Sequence, residues 1–337
     1  DADVCVLEVD ELNIRHVLPY IPVSALVVTN FFRDQLDRAK EMEQLINSIE
    51  SVLPNYQGTL VLNGDDPNTV RLALKAPKAN AVYFGIGQNQ YSVLNGLEAA
   101  EGKFCPICAS RLHYDYYQYS HIGHYSCPNC DFKTPEYDVA LSDINLTNQT
   151  FVIDQHQYQG PYEGMYSMYN YAAVAAVMKY FNVPATAFDA MLKDAPKPAG
   201  RNEHFTKGNQ EVILNLIKNP TGANEVLKVI EQDQNEKAIV IVLNDKEQDG
   251  TDVSWIYDTH FEKLMDDQTK QIICTGRRAG DMALRLFYGD YQNDLSIEDD
   301  IDQAVSKALA SSEHVYVIAT YTALLVARKA ITKEMGL

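Results

Sequence analysis

The chain has 337 residues, 46% of them hydrophobic and 22% charged, which is enough for two domains with separate cores. Its 46 acidic residues outnumber 28 basic ones for a net charge of −18, and a surface that acidic repels phosphate backbones, so no nucleic-acid partner is expected. No apolar run approaches the roughly 20 residues of a transmembrane helix, and no segment has the pattern of a signal peptide.

The opening DADVCVLEVDE reads as a buried parallel strand ending in acids. SALVVTNFF is a second strand, followed by a helix in RDQLDRAKEMEQLINSIESVL; GTLVLNGDDP, NTVRLALKA and AVYFGIG then supply strand, helix and short strand. Strands alternating with helices predict an α/β fold with a parallel sheet, in which ligands bind at the carboxyl ends of the strands. Those ends carry Glu8 and Asp10, Thr29 and Asn30, and Asn63, Asp65 and Asp66. Oxygen donors of this kind suit Mg²⁺, which keeps waters between protein and phosphates. Taken singly, each Asp is better read as a helix cap, with Asn30 or Asp34 for one helix and Asp66 or Asn68 for the next; taken together, the capping reading loses ground.

Residues 88–137 interrupt this pattern. Cys105-x2-Cys108 and Cys127-x2-Cys130, separated by 18 residues, have the spacing of a four-thiolate Zn²⁺ site, closed to water and therefore structural. His113, His121 and His124 lie between the pairs and are expected outside the metal shell or at the surface. Many of the 21 tyrosines lie near these cysteines, where they read as packing. Cys5 and Cys274 sit singly in apolar runs, a usage that suits a reducing compartment.

Beyond the insert, EYDVALSDINLTNQTFVIDQHQY reads as short antiparallel strands, and YNYAAVAAVMKYF and PATAFDAMLKD as helices. APKPAGRNEHFTKGN, rich in Pro and Gly, is the expected domain boundary. A second α/β series follows: the strands EVILNLIKNP, KAIVIVLND, QIICTG and HVYVIATY, with helices between them and one at the end. It reads as a smaller, doubly wound domain.

Several of these stretches together resemble the Mur ligase superfamily. TNFFRDQLDR resembles its TN-x(n)-DHLD segment, LNGDDP its LNxDDP, MYNYAAVAA its NxxNxxAA and AGRNEHF its GR-x-E, in the same order over most of the chain. The four-cysteine insert and DVSWIYD narrow the resemblance to the MurT family, the ligase-like subunits of lipid II isoglutaminyl synthases. The fold this implies is a Mur ligase-like central, ATP-binding, parallel-sheet domain over 1–198, with the zinc insert at about 100–137, and a C-terminal domain over 206–337.

The resemblance also implies an activity. ATP and Mg²⁺ would activate the D-glutamate α-carboxylate of lipid II as an acyl phosphate, and ammonia from a GatD-like glutamine amidotransferase partner would convert it to D-isoglutamine. The enzyme would be a heterodimer acting in the cytoplasm at the inner face of the membrane. By motif, Glu8 matches a metal-binding Glu, Thr29 and Asn30 the TN pair, Asn170 a nucleotide-contacting Asn, and Arg201 the phosphate-reaching Arg of GR-x-E. Asp252 matches the aspartate that completes the glutaminase's Cys-His pair.

Plainer alternatives stand beside each: an exposed strand end for Glu8, a helix-face amide for Asn170, an ion pair with Glu203 for Arg201, a turn cap at Ser254 for Asp252 with Asp258 reaching out instead. RDQLD lacks the His of DHLD, which leaves Asp34 and Asp37 open as ligands. The phosphate loop G-x-x-x-x-G-K-[ST] does not occur in the sequence, and its expected place is upstream of residue 1. Two other functions remain: a Mur ligase that adds an amino acid to a UDP-linked muramoyl peptide, and a zinc-ribbon adaptor without chemistry.

Overall fold

A computed structural model describes residues 3–32, 42–94, 101–196, 200–291 and 294–337. They form two compact units, one over residues 3–32 and 42–195 and the other from 196 onward.

The first unit is built on a six-stranded sheet in the order β1-β2-β3-β6-β7-β8. β1 (Ala25–Val28), β2 (Thr59–Asn63), β3 (Asn80–Ile86) and β6 (Val139–Asn145) run parallel, while β7 (Thr150–Ile153) and β8 (His156–Gln159) continue antiparallel. The antiparallel reading of the β6 segment therefore holds on one side only; its other edge pairs parallel with β3. Every residue of β2 is buried, as expected for an interior strand covered on both faces.

One face is covered by α2 (Met42–Glu50), whose buried Leu45, Ile46 and Ile49 form an apolar stripe, and by α3 (Pro67–Ala73). α4 (Met165–Tyr180) covers the other and packs across β1, β2, β3 and β6. Its alanines 172, 173 and 176 are buried, and their small side chains let the helix lie close to the sheet. α1 (Ile14–Val17) is a single turn and α5 (Ala185–Asp194) packs on β8. The insert forms a separate two-stranded hairpin of β4 (His113–Tyr119) and β5 (Ile122–Ser126).

The opening segment departs from expectation. Residues 3–10 are not a strand: they pair with no strand among the described residues, and Val4, Val6 and Leu7 are exposed. β1 is the end of the sheet order, so the apolar run has no ladder beside it to satisfy its backbone, and composition alone does not make a strand buried.

The second unit has a six-stranded sheet in the order β13-β12-β11-β14-β10-β9. β10 (Gln210–Leu216), β11 (Lys237–Val242), β12 (Thr269–Thr275), β13 (Asp294–Ile297) and β14 (His314–Ala319) are parallel, with β9 (Glu203–Lys207) antiparallel on β10. Apolar cores lie on both faces, one under α6 (Pro220–Gln232) and α7 (Ala279–Tyr288), the other under α8 (Ile301–Ser311) and α9 (Tyr321–Met335), so the unit is doubly wound. β9 occupies part of the expected Pro- and Gly-rich boundary, and β13 lies where no strand was expected; both are short sheet-edge strands with little apolar signal. No helix among the described residues is long and apolar enough to cross a membrane.

Candidate functional site

The insert brings four thiols together. Sγ atoms of Cys105, Cys108, Cys127 and Cys130 all lie within 4.8 Å of one another, with Cys105–Cys130 at 3.5 Å and Cys108–Cys127 at 3.4 Å. A disulfide would need about 2.05 Å, whereas ligands about 2.3 Å from one tetrahedral zinc sit roughly 3.8 Å apart. Each pair lies in the same kind of turn. The amide of Ile107 faces Cys105 Sγ at 3.4 Å and that of Asn129 faces Cys127 Sγ at 3.5 Å, while the Cys105 and Cys127 amides bond the carbonyls of Ser110 and Phe132.

Burial pushes the Cys105 thiol up, against the pull of the amide aimed at it. The Ser110 hydroxyl and amide draw the Cys108 thiol down to about 6. The donor set fits zinc in chemistry and spacing. Tyr125, Phe132, Leu112 and Val70 pack around the cysteines, with Tyr114 and Tyr83 alongside. His113 and His124 face Asp115 at the surface, and His121 is buried against Asp66, so none of the three displaces a cysteine.

At the carboxyl end of β2, Asn63, Asp65 and Asp66 are wholly buried, and both aspartates are committed to the protein. Asp66 caps α3: Oδ1 accepts from the Asn68 amide at 2.8 Å, and Oδ2 accepts from the Phe31 amide at 2.8 Å, tying the loop after β1 to the loop after β2. Asp65 Oδ2 accepts from the Ile86 amide at 2.9 Å and from Tyr169 Oη at 2.6 Å, and Oδ1 accepts from Tyr137 Oη. Burial pushes the Asp65 carboxyl up to about 6, against the opposing pull of these three donors. Tyr137 lies over the strand ends so closely that a Cβ on Gly85 would come within 2.3 Å of its ring. The two aspartates therefore serve the scaffold.

Thr29 and Asn30 differ. They follow β1, are half-buried, and make no side-chain hydrogen bond among the described residues. Uncommitted oxygens at a strand's carboxyl end fit a hydrated Mg²⁺. Asn170 is exposed on α4, one residue from the buried Tyr169. Glu8 is exposed in the non-strand opening segment, not at a strand end, and Asp34 and Asp37 lie outside the described residues.

In the second unit Arg201 is exposed and has no ion pair among the described residues. The Glu203 alternative does not occur: Glu203 accepts from the Gly200 amide at 3.0 Å and pairs with Arg328 at 2.8 Å. Gly200 is required there, with φ at +71° and a would-be Cβ 2.5 Å from Leu324.

Asp252 is exposed, and its Oδ1 accepts from the Ser254 amide at 2.8 Å, which holds its carboxyl below the usual range. It thus fixes the turn at Ser254, as in the capping alternative, and the same bond leaves an ionised, oriented carboxylate at the surface. Asp258 is exposed as well. Val253, Trp255 and Ile256 anchor this loop in the core. Beneath it, Arg285, 6% exposed, donates to the carbonyls of Ile256 at 3.1 Å and Thr259 at 2.9 Å and pairs with Glu262.

Sequence reasoning did not pick out Tyr137, Tyr169, His121 or Arg285 as the groups that hold these loops. Nothing local marks them, because each meets its partner from a distant segment.

Comparison with known proteins agrees with this architecture. The Mur ligase middle domain family model matches residues 1–178 and the MurT ligase C-terminal model residues 216–324. The lipid II isoglutaminyl synthase (glutamine-hydrolyzing) subunit MurT of Staphylococcus aureus (strain COL) is 35% identical over 326 residues, covering 95% of this chain and 73% of the relative. The subunit of the same name from Streptococcus pneumoniae (strain ATCC BAA-255 / R6) is 32% identical over 346 residues, covering 99% and 77%.

Among solved structures, a pseudomurein peptide ligase type C from Methanothermus fervidus has a TM-score of 0.69 at 21% identity, covering 93% of this chain and 64% of its own. MurF from Acinetobacter baumannii has a TM-score of 0.65 at 14% identity, covering 96% and 62%. The chain thus spans just under two thirds of these structures, and the likeness to them is one of fold. With a middle-domain match over more than half its length and relatives above 30% identity along nearly all of it, the chain belongs to the MurT family of Mur ligase-like proteins.

Proposed function

We propose that this chain is the synthetase subunit of a glutamine-hydrolysing amidotransferase, converting the α-carboxylate of D-glutamate in lipid II to the amide of D-isoglutamine. The observation that carries the reading is the pairing of a Mur ligase-like unit with a second unit that presents an oriented, ionised Asp252 at its surface. A stand-alone amino-acid ligase has no use for that feature. We assign residues 1–198 to the ATP-binding domain and 206–337 to the C-terminal domain.

A carboxylate is a poor electrophile. One of its oxygens attacks the γ-phosphorus of ATP and the bond to ADP breaks, leaving an acyl phosphate. Ammonia then attacks the carbonyl carbon, phosphate leaves with the bonding pair, and the nitrogen gives up a proton. Bound Mg²⁺ supplies charge neutralisation between the phosphates. Thr29 and Asn30 would hold it through their side-chain oxygens, with Glu8 contributing from the opening segment. Asn170 contacts the nucleotide, and Arg201 reaches the phosphates.

Asp252 acts on the partner, a GatD-like glutaminase, by fixing the tautomer and orientation of its catalytic histidine. Zinc at Cys105, Cys108, Cys127 and Cys130 is structural. The site is cytoplasmic, at the inner face of the membrane, where the lipid-linked substrate is presented.

The test supplies the full-length protein with ATP, Mg²⁺, lipid II and ammonium, without a glutaminase, and follows ADP release and the mass of the lipid product. Conversion of one carboxylate to an amide is expected. Addition of a free amino acid to a UDP-linked peptide would replace this reading with the amino-acid ligase, and ADP release in neither assay would leave the adaptor.

A further inference from the structure

We propose that His121 of the cysteine insert is a positioning residue for the loop after β1, so that the metal-stapled hairpin forms one wall of the nucleotide site. The proposal rests on the reading of Thr29 and Asn30 as Mg²⁺–nucleotide ligands.

The hairpin has two functional ends. At its base, Cys108 precedes β4 and Cys127 follows β5, so a metal held by the four cysteines would tie both strands together there. At its tip, Tyr119 pairs with Ile122 and the chain turns through Ser120 and His121. The two ends are separated by the length of β4, roughly 20 Å at the rise of a strand.

The tip is seated on the strand ends. The Gly123 amide donates to the Asp65 carbonyl at 3.0 Å. The His121 imidazole is 2% exposed, and its Nε2 lies 3.3 Å from Asp66 Oδ1, close enough for attraction but not aligned as a hydrogen bond. The same Asp66 carboxylate accepts from the Phe31 amide at 2.8 Å. Phe32, the next residue, meets the His121 ring edge-on with centroids 5.0 Å apart, and the Tyr119 ring at 5.7 Å. Thr29 and Asn30 are therefore followed by two residues, one held by the carboxylate beside His121 and the other packed on His121 itself.

A buried imidazole with no aligned hydrogen bond at either ring nitrogen carries a desolvation cost, and here it faces the two groups that hold the loop after β1, Asp66 and Phe32. Its placement makes sense as a backstop: it fills the gap behind Asp66 and Phe32 and limits how far the loop can retreat. The insert then acts on nucleotide affinity through its tip, while Cys105, Cys108, Cys127 and Cys130 would hold the metal that fixes its base.

The test is His121→Ala in the full-length protein, with hydrogen exchange of the Phe31 amide, steady-state kinetics in ATP, and zinc content. Protection at Phe31 should fall about tenfold while the β2 amides stay protected. KM for ATP should rise about tenfold with kcat within about threefold, the split expected when binding shared by ground state and transition state is lost. Zinc content should be unchanged, and His121→Gln should recover part of both effects. Should His121→Ala lose its zinc and unfold the insert, His121→Gln decides on the same two readouts. Unchanged Phe31 exchange and unchanged KM in a folded variant would overturn the proposal. Loss of Phe31 protection in a protein whose wild type binds no nucleotide would instead sustain the positioning role and remove the nucleotide reading.

Discussion

Tyr169 and Asp65, 104 residues apart in sequence, are joined by a 2.6 Å hydrogen bond from Tyr169 Oη to Asp65 Oδ2. This bond fastens the central helix α4 to the carboxyl end of β2, directly beside Asn170 and behind the strand-end loops. Because both groups are fully buried and the acceptor is a carboxylate, Tyr169→Phe should cost about 1.5–3 kcal/mol. A denaturant titration of the first unit's unfolding would measure it.

Asp65 also predicts a pH dependence. Its carboxyl is pushed from 3.8 up to about 6 by burial, so the folded state holds the proton more tightly than the unfolded chain does. Stability from this group is then greatest below the unfolded value and falls as pH rises through the window from 3.8 to about 6. The fall is at most roughly 3 kcal/mol. Asp65→Asn removes the titration, so the difference between variant and wild-type midpoints should grow in the variant's favour from pH 4 to pH 7. A constant difference would remove Asp65 as the source.

The metal centre should be visible as a thiol count. Of six cysteines, Cys5 is exposed and outside the cluster, and Cys274 is buried with its thiol pushed up to about 12 by that burial. In the zinc-loaded protein a thiol reagent should modify Cys5 first, the four clustered cysteines only once a chelator is added, and Cys274 only on unfolding. Chelation should also raise hydrogen exchange over the insert while leaving the second unit unchanged.

Asp252→Asn should separate the two half-reactions. With glutaminase present, glutamine-dependent amidation should fall about 10²–10⁴-fold, the scale of losing a residue that orients a catalytic histidine. Amidation from ammonium should persist. Loss of both activities together would place Asp252 in the scaffold alone. An equal fall for Asp258→Asn would move the role to that residue.

Arg285 should matter for the same loop. Its planar donors reach two carbonyls and a carboxylate at once, a geometry that lysine cannot reproduce. Arg285→Lys should lower glutamine-dependent turnover more than ammonium-dependent turnover, and should lower the melting temperature of the second unit.

Much of this protein is local information. The periods of apolar residues gave away the alternating strands and helices, and the spacing of Cys105, Cys108, Cys127 and Cys130 marked a metal site, because ligand spacing in a tight turn is a short-range property. Asp66 as a helix cap was likewise among the alternatives visible beside Pro67. The opening segment misled for the complementary reason: VCVLEV has a strand's composition, but a strand needs a neighbour, and which segments become neighbours is a property of the whole sheet.

The same limit applies at the site. That Asp65 and Asp66 are committed to tyrosines and amides while Thr29 and Asn30 have no side-chain hydrogen bond among the described residues, that Glu203 pairs with Arg328, and that His121 turns toward Asp66 all depend on contacts between segments tens of residues apart. Sequence by itself determined which residue types and local elements this protein has; only the tertiary structure decided which polar groups satisfy one another in the interior and which remain for a ligand, since a buried donor takes whatever acceptor the fold brings within 3 Å or so.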